Sequence, residues 1–249
     1  MDDLKKIAVL IDADNTQLSK IDDVLQEIST RGRIILKRAY GNWRKDSLKN
    51  WESEIKRLAI KPEQQFDYVT GKNATDMALV IDTIELLYSG NYDAFAIVSS
   101  DSDYTPLAIK LREAGVYVMG VGEKKTPVSF RNSCDDFLFL ENLSAAAEEK
   151  NEDSAKKCEE TKKAEGGGDS IDEIHVLLRR AFNAYQDEAG YVKVSRAGDL
   201  LKRAKPDFDC RTYGFKKLTQ LLAAFPQKYR LKTKKYQGTT TIVAYQCIS

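Results

Sequence analysis

The sequence predicts an α/β fold built on a doubly wound, mostly parallel sheet, with a small winged-helix domain after it. Three observations carry this expectation. The runs Ile7 to Ile11 and Ala94 to Val98 are apolar without alternation, as strands covered on both faces must be, and each stops at acidic residues. Strand-like and helix-like segments alternate up to about Leu140, the pattern of strand–helix units feeding one parallel sheet. Ser144 to Ser170 then holds almost no large apolar residue and ends in Gly166-Gly167-Gly168 just before Asp169 and Ser170, so 144–169 reads as a linker between domains at 1–143 and 170–249.

Each element follows from local pattern. After the first strand, Ile21, Val24, Leu25 and Ile28 recur at helical spacing, with Gly32 as the stop. Ile34 to Ala39 predicts a second strand, and 47–60 a helix with Trp51, Ile55 and Leu58 inward. Phe66 to Val69 predicts a short third strand. Thr75 is the expected cap of a helix reaching about Tyr88, with Asp76 in its first turn. Ala94 to Val98, a helix from Pro106 to Ala114, Val116 to Val121 and Phe137 to Leu140 complete the series. In the second domain, Ser170-Ile171-Asp172-Glu173 reads as a capping box opening a helix with Ile174, Leu177, Leu178, Ala181 and Tyr185 inward. Tyr191 to Val194 is extended, Ser195 caps a second helix to about Ala204, and Asp209 caps a third spanning Thr212 to Phe225. Tyr229 to Thr233 and Thr240 to Tyr245 alternate around Gln237-Gly238 as a β-hairpin.

Composition removes several chemistries. His175 is the one histidine in 249 residues, which excludes multi-histidine zinc sites. Cys134, Cys158, Cys210 and Cys247 stand at no zinc or redox spacing, and a reduced cytoplasmic setting is expected. Met1 to Leu4 lacks the pattern of a signal peptide, and no apolar run approaches the roughly 20 residues of a membrane span. Charge is divided unevenly: residues 171–249 hold 15 basic and 7 acidic side chains, the preceding 170 hold 24 and 31. A basic small domain beside an acidic larger one suggests that the former grips a polyanion while the latter holds metal, although a solvated lysine-rich surface gives the same count.

The acidic residues concentrate in three segments, IDADN at 11–15, NATDMALVID at 73–82 and SSDSDYTPL at 99–107. Asp12, Asp14, Asp101 and Asp103 follow buried strands, at the end of a parallel sheet where ligands bind, and Asp76 reaches the same crevice from a helix N-terminus. Carboxylates gathered there repel one another unless a divalent cation neutralises them, and hard oxygen donors suit Mg²⁺ or Mn²⁺. Asp12, Asp76, Asp101 and Asp103 are the candidate catalytic and metal ligands. Asn15 is placed to orient water or phosphate, and Lys72 to meet a backbone phosphate. Each acidic pair also has a purely structural reading as a turn or cap, and Asp76 as a partner of the helix dipole. Asp82 falls on a different helix face and reads as a supporting or surface group.

Those three ordered segments closely resemble the NYN domain, the LabA-like branch of the PIN ribonuclease superfamily, over about Lys5 to Leu143. The resemblance implies a PIN-like fold and a Mg²⁺ or Mn²⁺ endoribonuclease in which Asp12, Asp76, Asp101 and Asp103 bind metal and Asn15 assists. No core acidic position of the pattern is missing. The segments Gly190 to Val194, Pro206 to Asp209 and Arg211 to Leu218 resemble the OST-HTH, or LOTUS, domain over about Ser170 to Gln246, which implies a winged helix that binds RNA and sometimes protein. Independently, Arg211, Lys216 and Lys217 lie on or beside one expected helix, with Lys232, Lys234 and Lys235 on the hairpin. Tyr213 is open between base stacking and core packing. The expected function is a metal-dependent ribonuclease carrying its own RNA-binding module. Two alternatives remain: a catalytically silent RNA-binding adaptor, and a haloacid-dehalogenase-like phosphatase, whose Asp-x-Asp-x-Thr loop Asp12 to Thr16 also resembles. The latter leaves Asp76 without a role.

Overall fold

In the computed structural model, residues 4–66, 74–143, 171–236 and 240–248 are described. The chain divides into two compact units, Met1–Asn151 and Glu152–Ser249. Six strands of the first unit make one sheet: β1 (Leu4–Asp12), β2 (Gly32–Gly41), β3 (Lys61–Gln64), β4 (Ala94–Val98), β5 (Tyr117–Gly122) and β6 (Asp136–Phe139). Their order is β3-β2-β1-β4-β5-β6 and every neighbouring pair is parallel. The chain builds outward from β1 in one direction, then returns to lay β4 against its other edge. The reversal therefore falls between β1 and β4, where an open parallel sheet leaves a crevice at its carboxyl edge.

The unalternating apolar runs arise because both faces of the sheet are covered. Ile7, Val9 and Ile11 point into one layer with Ile21, Val24 and Ile28 of α1 (Ile21–Ser29) and Trp51 of α2 (Trp51–Leu58). Ala8 and Leu10 point into the other, against Leu79 of α3 (Ala74–Tyr88), Leu107 and Leu111 of α4 (Thr105–Glu113) and Phe130 of α5 (Val128–Ser133). Helix α2 ends where Ala59 turns left-handed at φ 50°.

Several boundaries differ from expectation. The third strand is Lys61-Pro62-Glu63-Gln64 rather than Phe66 to Val69, whose last three residues lie outside the described ones. An edge strand needs no apolar face and tolerates a proline, so its composition gives no strand signal. Gly32 opens β2 instead of stopping α1, whose C-cap is Thr30. Thr75 lies inside α3 and its hydroxyl goes to Asp14, so it is not the cap. Helix α5 was not expected, because six residues are too few to show a repeat. Among the described residues no helix is long and apolar enough to cross a membrane.

The second unit holds α6 (Ile171–Tyr185), β7 (Val192–Lys193), α7 (Val194–Ala204), a 3-10 turn at Cys210–Tyr213, α8 (Leu218–Ala223) and the hairpin β8 (Tyr229–Tyr236) and β9 (Thr240–Cys247). The antiparallel sheet has the order β7-β9-β8, giving a winged-helix-like arrangement. Ile174, Leu178 and Ala181 pack on Ala197, Leu201 and Leu222. Ser195 is inside α7, whose cap position is Lys193. The expected third helix is broken at Gly214, which sits at φ 81° after a 3-10 turn that Asp209 does cap. His175 is structural: its Nδ1 is 2.8 Å from the Tyr229 hydroxyl and its ring meets Phe225 edge-on. Ser170 of the capping box, the 144–169 linker with Cys158, and the Gln237-Gly238 turn lie outside the described residues.

The packing of β5 on β6 sets a strict volume limit. A methyl group added at Gly120 would stand 2.4 Å from Phe137 Cδ2 and 2.8 Å from Cys134 Sγ, both inside the core. Gly120→Ala should therefore destabilise the protein by about 1–3 kcal/mol, the usual cost of an overpacked core, measured as a lower urea midpoint at unchanged slope.

Candidate active site

Asp12 is the centre of the site. It is the last residue of β1, paired in register with Tyr40 of β2, and has 0% of its surface exposed. Asn15 holds it from the following loop, with its backbone N–H 3.3 Å from Oδ1 and its side-chain amide donating to Oδ2 at 2.9 Å. Ser99, just after β4, donates to the same Oδ2 at 2.9 Å. Burial pushes the Asp12 carboxyl up from 3.8 to about 6, and the charge of Asp76 pushes the same way, against the hydrogen bonds from Asn15 and Ser99. A carboxylate so disfavoured as an anion is one that a cation would stabilise.

Asp76 acts on Asp12, and Asp101, Asp103 and Asp14 act on Asp76. Asp76, in the first turn of α3, accepts a hydrogen bond from the Tyr104 hydroxyl on Oδ1 at 2.9 Å. Its carboxyl is also raised, first by burial and then by Asp101, Asp103 and Asp14, with Tyr104 opposing. Asp101 caps the 3-10 turn Ser102–Tyr104, taking the Asp103 N–H on Oδ1 at 2.9 Å. Asp103 and Asp76 line one cleft of about 570 Å³ with Tyr104 and Met77. Asp14 is drawn to Lys45 at 3.2 Å and to the Thr75 hydroxyl at 3.1 Å. Asp82 stands apart, bound by Arg38 and the Tyr40 hydroxyl, and is a supporting group. Lys72 lies outside the described residues.

The donor set is all carboxylate oxygen, the chemistry that hard divalent cations select. Asp12, Asp76 and Asp101 each keep lone pairs beyond the hydrogen bonds they accept. Among the described residues, however, no three carboxylates, imidazoles or thiolates already stand at metal-binding separation. Asp12, Asp76 and Asp101 are instead each held by neighbouring donors.

Ser99, Tyr104, Thr75 and Lys45 hold the candidate aspartates, and of these the sequence marked Thr75 alone, as a helix cap. Ser99 and Tyr104 flank the aspartates of SSDSDY, and that adjacency was the available signal. Lys45 sits in a loop with no pattern to mark it.

In the second unit the expected RNA-facing residues separate. Arg211, expected on or beside one helix with Lys216 and Lys217, is in the 3-10 turn, divided from them by Gly214, and forks onto Asp209, Nε to Oδ2 at 2.9 Å and a second nitrogen at 2.7 Å. Lys216 and Lys217 are exposed just before α8, and the Lys216 N–H donates to the Gln220 side chain at 3.0 Å. Tyr213 packs against the core, its ring 6.2 Å from that of Phe208. Lys232 lies over the Tyr191 ring at 5.1 Å. The side chains of Lys234 and Lys235 lie outside the described residues.

Comparison with known proteins agrees with this architecture. Residues 6–141 match the NYN domain and residues 169–240 the OST-HTH/LOTUS domain. An uncharacterized protein of Methanocaldococcus jannaschii is 30% identical over 124 residues, 47% of this chain and 47% of that protein, so the match spans about half of the relative's length. Two solved structures are also similar. A protein of unknown function from Vibrio parahaemolyticus has 15% identity and a TM-score of 0.46, over 56% of this chain and 94% of that one. An uncharacterized protein from Nitrosomonas europaea has 22% identity and a TM-score of 0.31, over 40% of this chain and 92% of that one. With more than half of its length matched, the chain belongs to the NYN domain family and carries an OST-HTH/LOTUS domain after the NYN domain.

Proposed function

We propose that this protein is a metal-dependent ribonuclease that hydrolyses RNA phosphodiester bonds at its aspartate centre and holds RNA through its C-terminal unit. The observation that carries the reading is Asp12, a carboxylate with 0% exposure at the switch point of the sheet, facing Asp76 across the crevice. Asp12, Asp76, Asp101 and Asp103 are the residues that would hold Mg²⁺ or Mn²⁺. Such a cation supplies charge neutralisation, water activation and stabilisation of the leaving oxygen. The chain's own part is positioning: Asn15 and Ser99 fix Asp12, Tyr104 fixes Asp76, and the Asp103 N–H fixes Asp101. A cytoplasmic setting and a protein partner for the second unit belong to the same proposal.

One observation favours the adaptor reading, namely the absence of a ready-made three-donor cluster among the described residues. Incubation of labelled RNA with and without Mn²⁺ separates the two, since the adaptor binds and never cuts. For the ribonuclease, Asp12→Asn and Asp101→Asn should each lower metal-dependent cleavage by on the order of 10²-fold or more while the protein still melts cooperatively. Parental cleavage by Asp12→Asn, in a preparation free of other nucleases, would falsify the centre.

The pH dependence has a definite sign. Asp12 binds its proton more tightly folded than unfolded, so the contribution to stability is present below its ordinary 3.8 and is lost as pH rises toward about 6. A cation must displace that proton, so it should bind better above about 6 than below. Thermal melts with and without Mn²⁺ should show a larger rise in melting temperature at pH 7 than at pH 5, and Asp12→Asn should remove most of the difference.

For the second unit, exposed Lys216 and Lys217 are the proposed phosphate contacts, whereas Arg211 is engaged by Asp209. The double change of both lysines to Ala should weaken RNA binding and reduce the salt slope by about 1 to 2. Binding isotherms from low to moderate salt measure both.

A further inference from the structure

The carboxyl ends of β2 and β3 carry a feature that the carboxylate centre does not use. Phe66, just beyond β3, leaves 49% of its surface exposed. Arg44, exposed in the loop after β2, lies over that ring with its guanidinium carbon 5.5 Å from the centroid, and it pairs with no carboxylate among the described residues. The two segments are tied together. Trp43 N–H donates to Gln64 Oε1 at 3.1 Å and its indole N–H to the Glu63 carbonyl at 3.2 Å. Gln64 Nε2 donates to Asn42 Oδ1 at 3.1 Å, and Gln65 N–H to the Gly41 carbonyl at 3.1 Å. The stacked pair is thus held in place before any ligand arrives.

Two connections place it beside the aspartates. Lys45, next to Arg44, reaches Asp14 at 3.2 Å. Met77, next to Asp76 and 57% exposed, walls both the cleft of Asp76 and Asp103 and an adjoining groove of about 410 Å³ that Gln65 also lines. On the opposite side of the centre, Glu123 follows β5 with its carboxylate at Lys125, and the Glu141 carboxylate takes the Lys124 N–H. On that side lysine and glutamate side chains are interleaved, and on the β3 side Arg44 stands over an exposed ring, next to a groove that Asp82 and Glu85 also line.

An exposed ring with a guanidinium plane beside it is how proteins grip unpaired bases, since every base offers a π-face and Arg adds attraction for the backbone. We propose that Arg44 and Phe66 hold one unpaired base of the RNA on the β3 side of the aspartate centre. This rests on the ribonuclease reading above. The paired bases of a duplex cannot reach the platform without unstacking.

The test uses the full chain, a single-stranded RNA carrying 4-thiouridine, and peptide mapping after photocrosslinking, alongside Mn²⁺-dependent cleavage. The parent should crosslink at the Phe66 peptide. Phe66→Ala should lose that crosslink and about tenfold in kcat/KM on single-stranded RNA, the scale of one base–aromatic stack, and Arg44→Ala several-fold. Phe66→Trp should retain both signals, since indole stacks at least as well. Crosslinks confined to the C-terminal unit, together with parental kcat/KM in Phe66→Ala, would overturn the proposal and leave the ribonuclease reading standing. Loss of cleavage in Phe66→Trp as severe as in Phe66→Ala would also overturn it, by showing that the ring is needed for shape alone. A Phe66 crosslink in a protein that never cleaves RNA would keep the base site and remove the ribonuclease reading.

Discussion

The constraint on which the first unit depends is the burial of the Asp12 carboxylate. A carboxylate without solvent is unfavourable unless donors surround it, and here they come from the loop after β1 and from Ser99 just beyond β4. Ser99 donates to Asp12 and accepts the Asp101 N–H at 3.1 Å, so one hydroxyl joins the end of β1 to the turn after β4. This works only because Ile11 and Val98 are in parallel register and the Ser99 N–H continues the ladder onto the Val121 carbonyl at 2.9 Å. A slip by one residue would turn every β1 side chain to the opposite layer and remove Asp12 from Ser99.

The hydrophobic pattern made the central strands legible, because β1 and β4 are covered on both faces and must be apolar throughout. Acidic residues following those strands marked the crevice for the same reason, as an ionisable group there has no role in packing. What the sequence hid is what packing does not decide. Strand β3 is exposed and carries a proline. The third helix of the second unit reads as continuous in pattern, yet the left-handed turn at Gly214 divides it and returns Phe215 to the core. Arg211 looked like a phosphate ligand because charge alone was visible, while its partner Asp209 was read as a cap. Asp209 does both, and its carboxyl is held below the usual range by the hydrogen bonds and charge of Arg211 despite burial.

The two units differ in how they treat their ionisable groups. In the first, Asp12 and Asp76 hold their protons more tightly than free carboxyls do, chiefly because both are buried. In the second, several buried polar groups are paired within the fold. His175 is matched to Tyr229, Asp209 to Arg211, and the Tyr245 hydroxyl to the Leu178 carbonyl at 2.7 Å, leaving lysines such as Lys216 and Lys217 at the surface.

Strand β3 has a consequence for how the sheet ends. It is the outermost strand beyond β2, four residues long, with Pro62 opposite Ala39 and Lys61 exposed. Pro62 has no N–H to offer a further strand, and a lysine on the rim repels an approaching chain of the same kind. This edge therefore resists recruitment into the extended stacks by which exposed sheets aggregate.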